Sequence, residues 1–230
     1  MPEAAKQLCW VEYLKTVDSP TLSNAIELLQ VRPRREGFTP LQIRALFPEF
    51  GRLCGYAVTA QVETVTESEP HSIASFIALC RALEQSPKPA VVVFQEIGGY
   101  ADWAAHCGEV MATVFQRLGA IGLVSDAAVR DVPEVRALGF HYFARGAVAS
   151  HANFRIVRAA VPVQVCGVVV HCGDLLHGDE NGLLLVPGGV EAKLPAAVDA
   201  VRARERRLMD WIRSEAFSLA QLEDRMLDRQ

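Results

Sequence analysis

Glu109 stands ahead of the pair Arg130-Asp131, with the twenty residues 110–129 between them. A carboxylate, a guanidinium and a second carboxylate are the parts needed to form and quench a pyruvate enolate. Glu109 opens a segment with helical apolar spacing, where unpaired N–H groups and the positive end of the dipole suit an anion. A substrate carboxylate can rest there on the amides of Val110 and Met111, with Glu109 beside it as base. Arg130 can draw charge onto a ketone oxygen as it becomes an enolate. Asp131 can hold Mg²⁺, which takes one or two protein carboxylates and keeps several waters.

Each of these residues also has an ordinary explanation. Asp131-Val132-Pro133-Glu134 reads as a capping box, with Asp at the N-cap, Pro in the first turn and Glu three residues on. Spacing alone favours that role for Asp131. A first-turn Glu109 complements the helix dipole, and a lone Arg130 is an ordinary surface cation. His171 and His177 flank a turn, and no two histidines share metal-ligand spacing on one helix. Asp174, Asp179 and Glu180 read as acidic turn residues.

The elements that must position these groups alternate along the chain. A first helix is capped by Ser19 or Asp18, carries Pro20 in its first turn and aligns Leu22, Ile26 and Leu29. Residues 31–50, with Pro33, Gly37, Pro40 and Pro48, read as a linker. GYAVTAQVETV reads as a strand, HSIASFIALCRALEQ as a buried helix and AVVVFQ as a buried strand. A helix from Glu109 to Leu118 carries the stripe Val110, Val114, Leu118 beside Met111 and Phe115, and Gly119 ends it. AIGLVS is a strand and VPEVRALG a short helix. Residues 161–187 read as two strands, VPVQVCGVVVH and LLLVP, joined by the turn GDLLHGDENG. A long helix runs from about Val190 to Ser214. The class is α/β with a mixed sheet.

Composition narrows the partners. The chain has 230 residues, half of them apolar, which supports one domain over 1–230. The 23 Lys and Arg against 27 Asp and Glu leave a net charge of −4, so charge gives no case for nucleic acid or an anionic membrane. No apolar run reaches the roughly 18 residues a spanning helix needs. MPEAAKQLCW has no signal-peptide core, so a cytoplasmic location is expected. Cysteines 9, 54, 80, 107, 166 and 172 form no C-x-x-C pair and read as small hydrophobes of a reducing compartment.

The stretch CGEVMATVFQRLGAIGLVSDAAVRDVPEVRALGFHYFARG resembles the core signature of the RraA-like family, an acidic residue, twenty residues and then Arg-Asp. DSPTLSNAIELL, RALFPEFGRLCGYAVTAQ and VCGVVVHCGDLLHGDENGLLLVP resemble its flanks, so the match covers roughly residues 15–215. The chain departs at Ala127, where the family carries glycine, and in the loose match of EIGGYADWAAHC to a Gly-rich stretch. The resemblance implies a swivelling β/β/α fold with an N-terminal helix and a long C-terminal helix. It implies a homotrimer or a homohexamer of two trimers, with sites between subunits. It is closest to the class II 4-hydroxy-4-methyl-2-oxoglutarate and 4-carboxy-4-hydroxy-2-oxoadipate aldolases. By position, Asp131 matches the Mg²⁺ (or Mn²⁺) ligand and Arg130 the residue on the keto or enolate oxygen. Glu109 matches the acid that orders a water for protonation, and the Val110 and Met111 amides match the pyruvyl carboxylate site. Glu205 matches a glutamate sent into the neighbouring subunit's site behind the metal, although Met209 replaces the family's arginine and Glu205 also reads as part of a solvated face. The implied reaction is C3–C4 cleavage of a small 2-oxo acid, by retro-aldol or by decarboxylation of oxaloacetate, with no lysine Schiff base. The other reading is a non-catalytic, protein-binding inhibitor of RNase E, a branch that lacks the full acidic…Arg-Asp set.

Overall fold

The computed structural model of the chain describes residues 3–67 and 73–227. Helix α1 (Glu3–Leu14) precedes α2 (Ser19–Leu28), whose N-cap is Asp18; the Asp18 carboxylate accepts the Thr21 N–H at 2.8 Å. Then come β1 (Arg44–Ala45), a 3-10 turn (Pro48–Phe50), β2 (Leu53–Glu63), α3 (Ile73–Gln85), β3 (Ala90–Glu96), α4 (Glu109–Arg117), β4 (Ala120–Ser125), α5 (Val132–Ala137) and β5 (His141–Ala144). The chain continues with β6 (Arg155–Ala159), β7 (Val163–Val165), β8 (Val168–Val170), β9 (Leu175–Asp179), β10 (Gly182–Val186), α6 (Leu194–Ile212) and α7 (Leu219–Leu227). His71 and Ser72, with which the α3 helix was predicted to start, lie outside the described residues.

The main sheet runs β1-β5-β4-β3-β2-β9-β10, with β6 also on β2. The pairs β2–β3, β3–β4 and β4–β5 are parallel, and β1–β5, β2–β6, β2–β9 and β9–β10 are antiparallel, so the sheet is mixed as expected. The predicted linker is the strap that nearly closes it. Thr39 N–H and Leu185 N–H bond the Leu183 and Gly37 carbonyls along β10, and six residues later β1 pairs with β5.

Strand alternation divides the core. Along β2 and β3, Val58, Ala60, Val62, Val92 and Phe94 face α3 and α4, packing on Leu79, Leu83 and Phe115. Ala57, Val91 and Val93 face the sheet interior, which the β7–β8 hairpin covers with Val163, Val165, Val168 and Val170. A third cluster lies between α1, α2 and α6 and the β9–β10 side.

Four expectations are corrected. Residues 161–187 form four strands, not two. Cys166 and Gly167, at φ 46° and 91°, make a two-residue hairpin inside the first predicted strand. Leu175–Asp179, taken as turn, is the fully buried β9. On α4, Ala112 and Phe115 are buried while Val110 is 78% exposed, so the inward face is rotated from the predicted stripe. The long C-terminal helix starts at Leu194, after a 3-10 turn, and ends at Ile212. The Asp131 capping box does not form.

Candidate active site

In parallel sheets, ligands bind beyond the carboxyl ends of the strands. Here the segments leaving β3, β4 and β5 form a small platform. Ala105 N–H bonds the Ser150 carbonyl at 2.8 Å, His106 N–H that of Ala128 at 2.9 Å, Arg130 N–H that of Cys107 at 2.9 Å and Val148 N–H that of Val129 at 3.0 Å. Residues 105–108, 128–131 and 146–150 are thus laced together, and α4 and α5 start from the first two.

Asp131 occupies the left-handed region, φ 57° and ψ 44°, and its side chain makes no capping bond to α5. Its carbonyl still accepts the Val135 N–H at 2.9 Å, so the first turn of α5 closes normally. The carboxylate has instead turned to the other helix, where Oδ2 accepts the Glu109 N–H at 2.9 Å. Gly108, the N-cap residue of α4, makes no side-chain capping bond. It also makes the approach possible. A Cβ there would meet Asp131 Oδ2 at 2.3 Å and Arg130 Nε at 3.0 Å. Arg130 Nε lies 3.7 Å from Asp131 Oδ2, and both side chains are about a third exposed.

These groups open onto a cleft of about 240 Å³. Arg130, Asp131, Gly108, Val110 and Met111 line it together with Ala105, His106, Cys107, His151 and Phe154. The first bond within α4 runs from Ala112 N–H to the Gly108 carbonyl, so the Val110 and Met111 amides precede it, as an anion site requires. Glu109 gives its amide to Asp131 and is exposed at the helix start, and its side chain is not part of the cleft wall. Glu205 lies elsewhere within one chain. It sits on α6 and accepts from Asn24 of α2 at 3.2 Å.

Two cleft-lining residues, His106 and His151, escaped the sequence reading, as did Glu96 and Ser125, which hold His106. His106 is buried between Glu96 and Ser125, with Nε2 2.8 Å from Glu96 Oε2 and Nδ1 2.8 Å from Ser125 Oγ. Nε2 faces a carboxylate and so carries a proton. His151 lines the cleft from the loop before β6. No spacing rule links residues 96, 106, 125 and 151; the fold alone brings three strand ends together. Nearby, burial pushes the Asp126 carboxyl up to about 6, against the lowering effect of the Glu96 N–H it accepts at 2.7 Å. The Cys107 thiol in the wall is pushed by burial up to about 12, so it is protonated at neutral pH. All six cysteines are free. Asp174 does serve a turn, accepting the His171 N–H at 2.7 Å. His177 and Asp179 are instead buried against Ser19, whose Oγ is 3.0 Å from His177 Nδ1 and whose N–H reaches Asp179 at 2.7 Å.

Among the described residues no group of three or more His, Cys, Asp or Glu side chains is arranged to hold a metal. The donor set therefore does not make a protein-rich cage. It suits a hard cation that binds one carboxylate and keeps its waters, with Asp131 partly exposed to the cleft and held in the space that glycine leaves at position 108.

Comparison with known proteins adds to this geometry. A family model described as RraA-like, Aldolase/RraA, matches residues 19–185, which include every residue of the cleft. A Halalkalibacterium halodurans protein provisionally named 4-hydroxy-4-methyl-2-oxoglutarate aldolase is 32% identical over 141 residues, 58% of this chain. The chain spans 65% of that relative's length. A Thermus thermophilus protein named 4-hydroxy-4-methyl-2-oxoglutarate aldolase is 32% identical over 111 residues, 48% of this chain and 67% of that one. Streptomyces coelicolor RraAS2, described as an unusual member of the RNase ES inhibitor RraA protein family, matches in fold with a TM-score of 0.68. That match covers 89% of this chain and 96% of the other at 24% identity.

Proposed function

The chain belongs to the RraA-like family, and on that premise we propose that it is a divalent-metal-dependent lyase that cleaves the C3–C4 bond of a small 2-oxo acid through a pyruvate enolate. The observation that carries this reading is the Asp131 carboxylate, turned away from its own helix and into a cleft shared with Arg130 and the start of α4. The names of the two aldolase relatives support the reaction class.

The substrate's carboxylate rests on the Val110 and Met111 amides, where the helix dipole favours it. The Arg130 guanidinium donates to the ketone oxygen and gains strength as that oxygen becomes anionic. Asp131 would hold Mg²⁺ or Mn²⁺, and such an ion, when bound, would supply a Lewis acid toward the 2-oxo acid. The C3–C4 electron pair moves into the C2–C3 bond as C2=O becomes O⁻. A 4-hydroxy substrate releases a carbonyl compound, and oxaloacetate releases CO₂. From the exposed start of α4, between the cleft-lining Gly108 and Val110, Glu109 orders the water that returns a proton to C3, giving pyruvate. The same reading includes a trimer or a hexamer in which α6 reaches a neighbouring subunit and brings Glu205 behind its metal. The exposed Met209, Ile212, Phe217 and Leu219 give that end of the chain an apolar surface to cover.

The test is a screen of 2-oxo acids for pyruvate release, with the protein first stripped by a chelator and then supplied with Mg²⁺ or Mn²⁺. Release from oxaloacetate or a 4-hydroxy-4-carboxy 2-oxo acid is expected only with the metal restored. No pyruvate from any of these would contradict the lyase and leave the regulator reading in its place.

A further inference from the structure

We propose that His151 is the base that takes the C4 hydroxyl proton in the retro-aldol reaction, an assignment that rests on the enolate reading above. A retro-aldol cleavage needs such a base, and in that reading Glu109, Arg130 and Asp131 already have other tasks. Arg130 has no acceptor. Asp131 is the cation's ligand, and Glu109, exposed at the start of α4, orders the water that protonates C3.

His151 meets the requirement by position. It lines the same 240 Å³ cleft as Arg130 and Asp131, from the loop that follows β5. That loop is fixed at both ends of the histidine. The Ser150 carbonyl accepts the Ala105 N–H at 2.8 Å, and the His151 carbonyl accepts the Phe154 N–H at 3.0 Å. Phe154 in turn packs on the buried His106, with ring centroids 5.6 Å apart. The imidazole is exposed, and its Nδ1 lies 2.7 Å from the Ala152 carbonyl oxygen. A carbonyl oxygen only accepts, so the ring proton sits on Nδ1 and the neutral ring keeps Nε2 as its acceptor. With the substrate's C1 carboxylate at α4 and its C2 ketone at Arg130, the C4 hydroxyl lies two carbons further along the cleft that His151 also lines.

The step balances. Nε2 takes the hydroxyl proton, and the O–H electron pair becomes the C4=O π bond. The C3–C4 bond breaks, and its pair forms C2=C3 as the C2 carbonyl electrons move to oxygen. The imidazolium then returns its proton to solvent. Decarboxylation of oxaloacetate has no hydroxyl to deprotonate, and hydrogen exchange at C3 of pyruvate uses only the enolate end of the site. The three reactions therefore separate His151 from the rest of the cleft.

His151→Asn and His151→Ala are to be measured in all three with the metal-loaded protein: retro-aldol of 4-hydroxy-4-methyl-2-oxoglutarate, decarboxylation of oxaloacetate, and deuterium exchange into pyruvate by NMR. The ratio of retro-aldol to decarboxylation is expected to fall on the order of 10²-fold, as for loss of a general base, with exogenous imidazole restoring retro-aldol turnover in His151→Ala. An unmoved ratio, whether both activities persist or both fall, with no imidazole rescue, overturns the assignment. Failure of the wild-type protein to exchange pyruvate would instead remove the enolate reading, and the base with it.

Discussion

Two aspartates in this chain sit in the same local sequence and do opposite things. Asp18-Ser19-Pro20 and Asp131-Val132-Pro133 both place Asp ahead of a helix with Pro in its first turn. Asp18 has an extended backbone, φ −72° and ψ 153°, and its carboxylate caps its own helix at Thr21. Asp131 is left-handed and caps nothing on its own helix, giving its carboxylate to the start of α4, at the mouth of a cleft. For an L-residue the left-handed region costs about 1–2 kcal/mol, least for Asp and Asn. The local rule is followed at Asp18 and broken at Asp131, where a left-handed backbone turns the carboxylate to the start of α4.

The difference can be pressed from both sides. The largest effect is expected next to Asp131. Arg130→Lys keeps the charge but loses the planar fork that can meet an oxyanion and the Asp131 carboxylate together. Turnover should fall on the order of 10²–10³-fold, measured as pyruvate release with the melting temperature nearly unchanged; wild-type turnover would make Arg130 a surface cation. Gly108→Ala comes next. Its φ of −133° suits any residue, so the cost is steric and falls on Asp131 Oδ2. Displacing that carboxylate should lower turnover by about 10²-fold, and an Ala variant with full activity would show that the close approach has no role. The smallest effect belongs to Asp18. Asp18→Ala should cost about 1 kcal/mol of stability in a denaturant titration at neutral pH while pyruvate release per folded molecule persists. Partial burial raises the Asp18 carboxyl pKa, but the Thr21 N–H and hydroxyl, its own N–H and the Arg202 charge together outweigh it, and the net shift is downward. A lowered pKa contributes stability above the unfolded value and loses it as pH falls through the folded one, so the wild-type advantage should vanish in acid. An advantage that persisted there would mean that Asp18 stabilises by some means other than its charge.

The contrast also explains what the sequence made legible. The parallel core strands announced themselves because both faces are buried, and AVVVFQ and AIGLVS are apolar up to their closing Gln95 and Ser125. The α4 start, Arg130 and Asp131 were legible as a set, through their spacing and through the resemblance. The backbone of Asp131 was not, because D-V-P-E carries the same cap signal that is obeyed at Asp18. β9 was hidden because His177, Gly178 and Asp179 look like turn residues. Asp179 accepts the Ser19 N–H, and His177 meets the Ser19 hydroxyl and the Leu14 carbonyl, partners more than 150 residues away. Glu96, His106, Ser125 and His151 were illegible for the same reason, since their partners are chosen by strand order.

The central claim is that the Asp131 carboxylate serves the cleft as a cation ligand, beyond its bond to the start of α4. Asp131→Asn tests it most directly. Asparagine tolerates the left-handed region and can still accept the Glu109 N–H, but it brings no negative charge to a cation. The measurement is an Mg²⁺ titration of pyruvate release from oxaloacetate, paired with a melting curve. The account predicts a melting temperature close to wild type and pyruvate release that is nearly abolished across the titration. Retained release at unchanged Mg²⁺ affinity would contradict it and leave Asp131 only its bond to the start of α4.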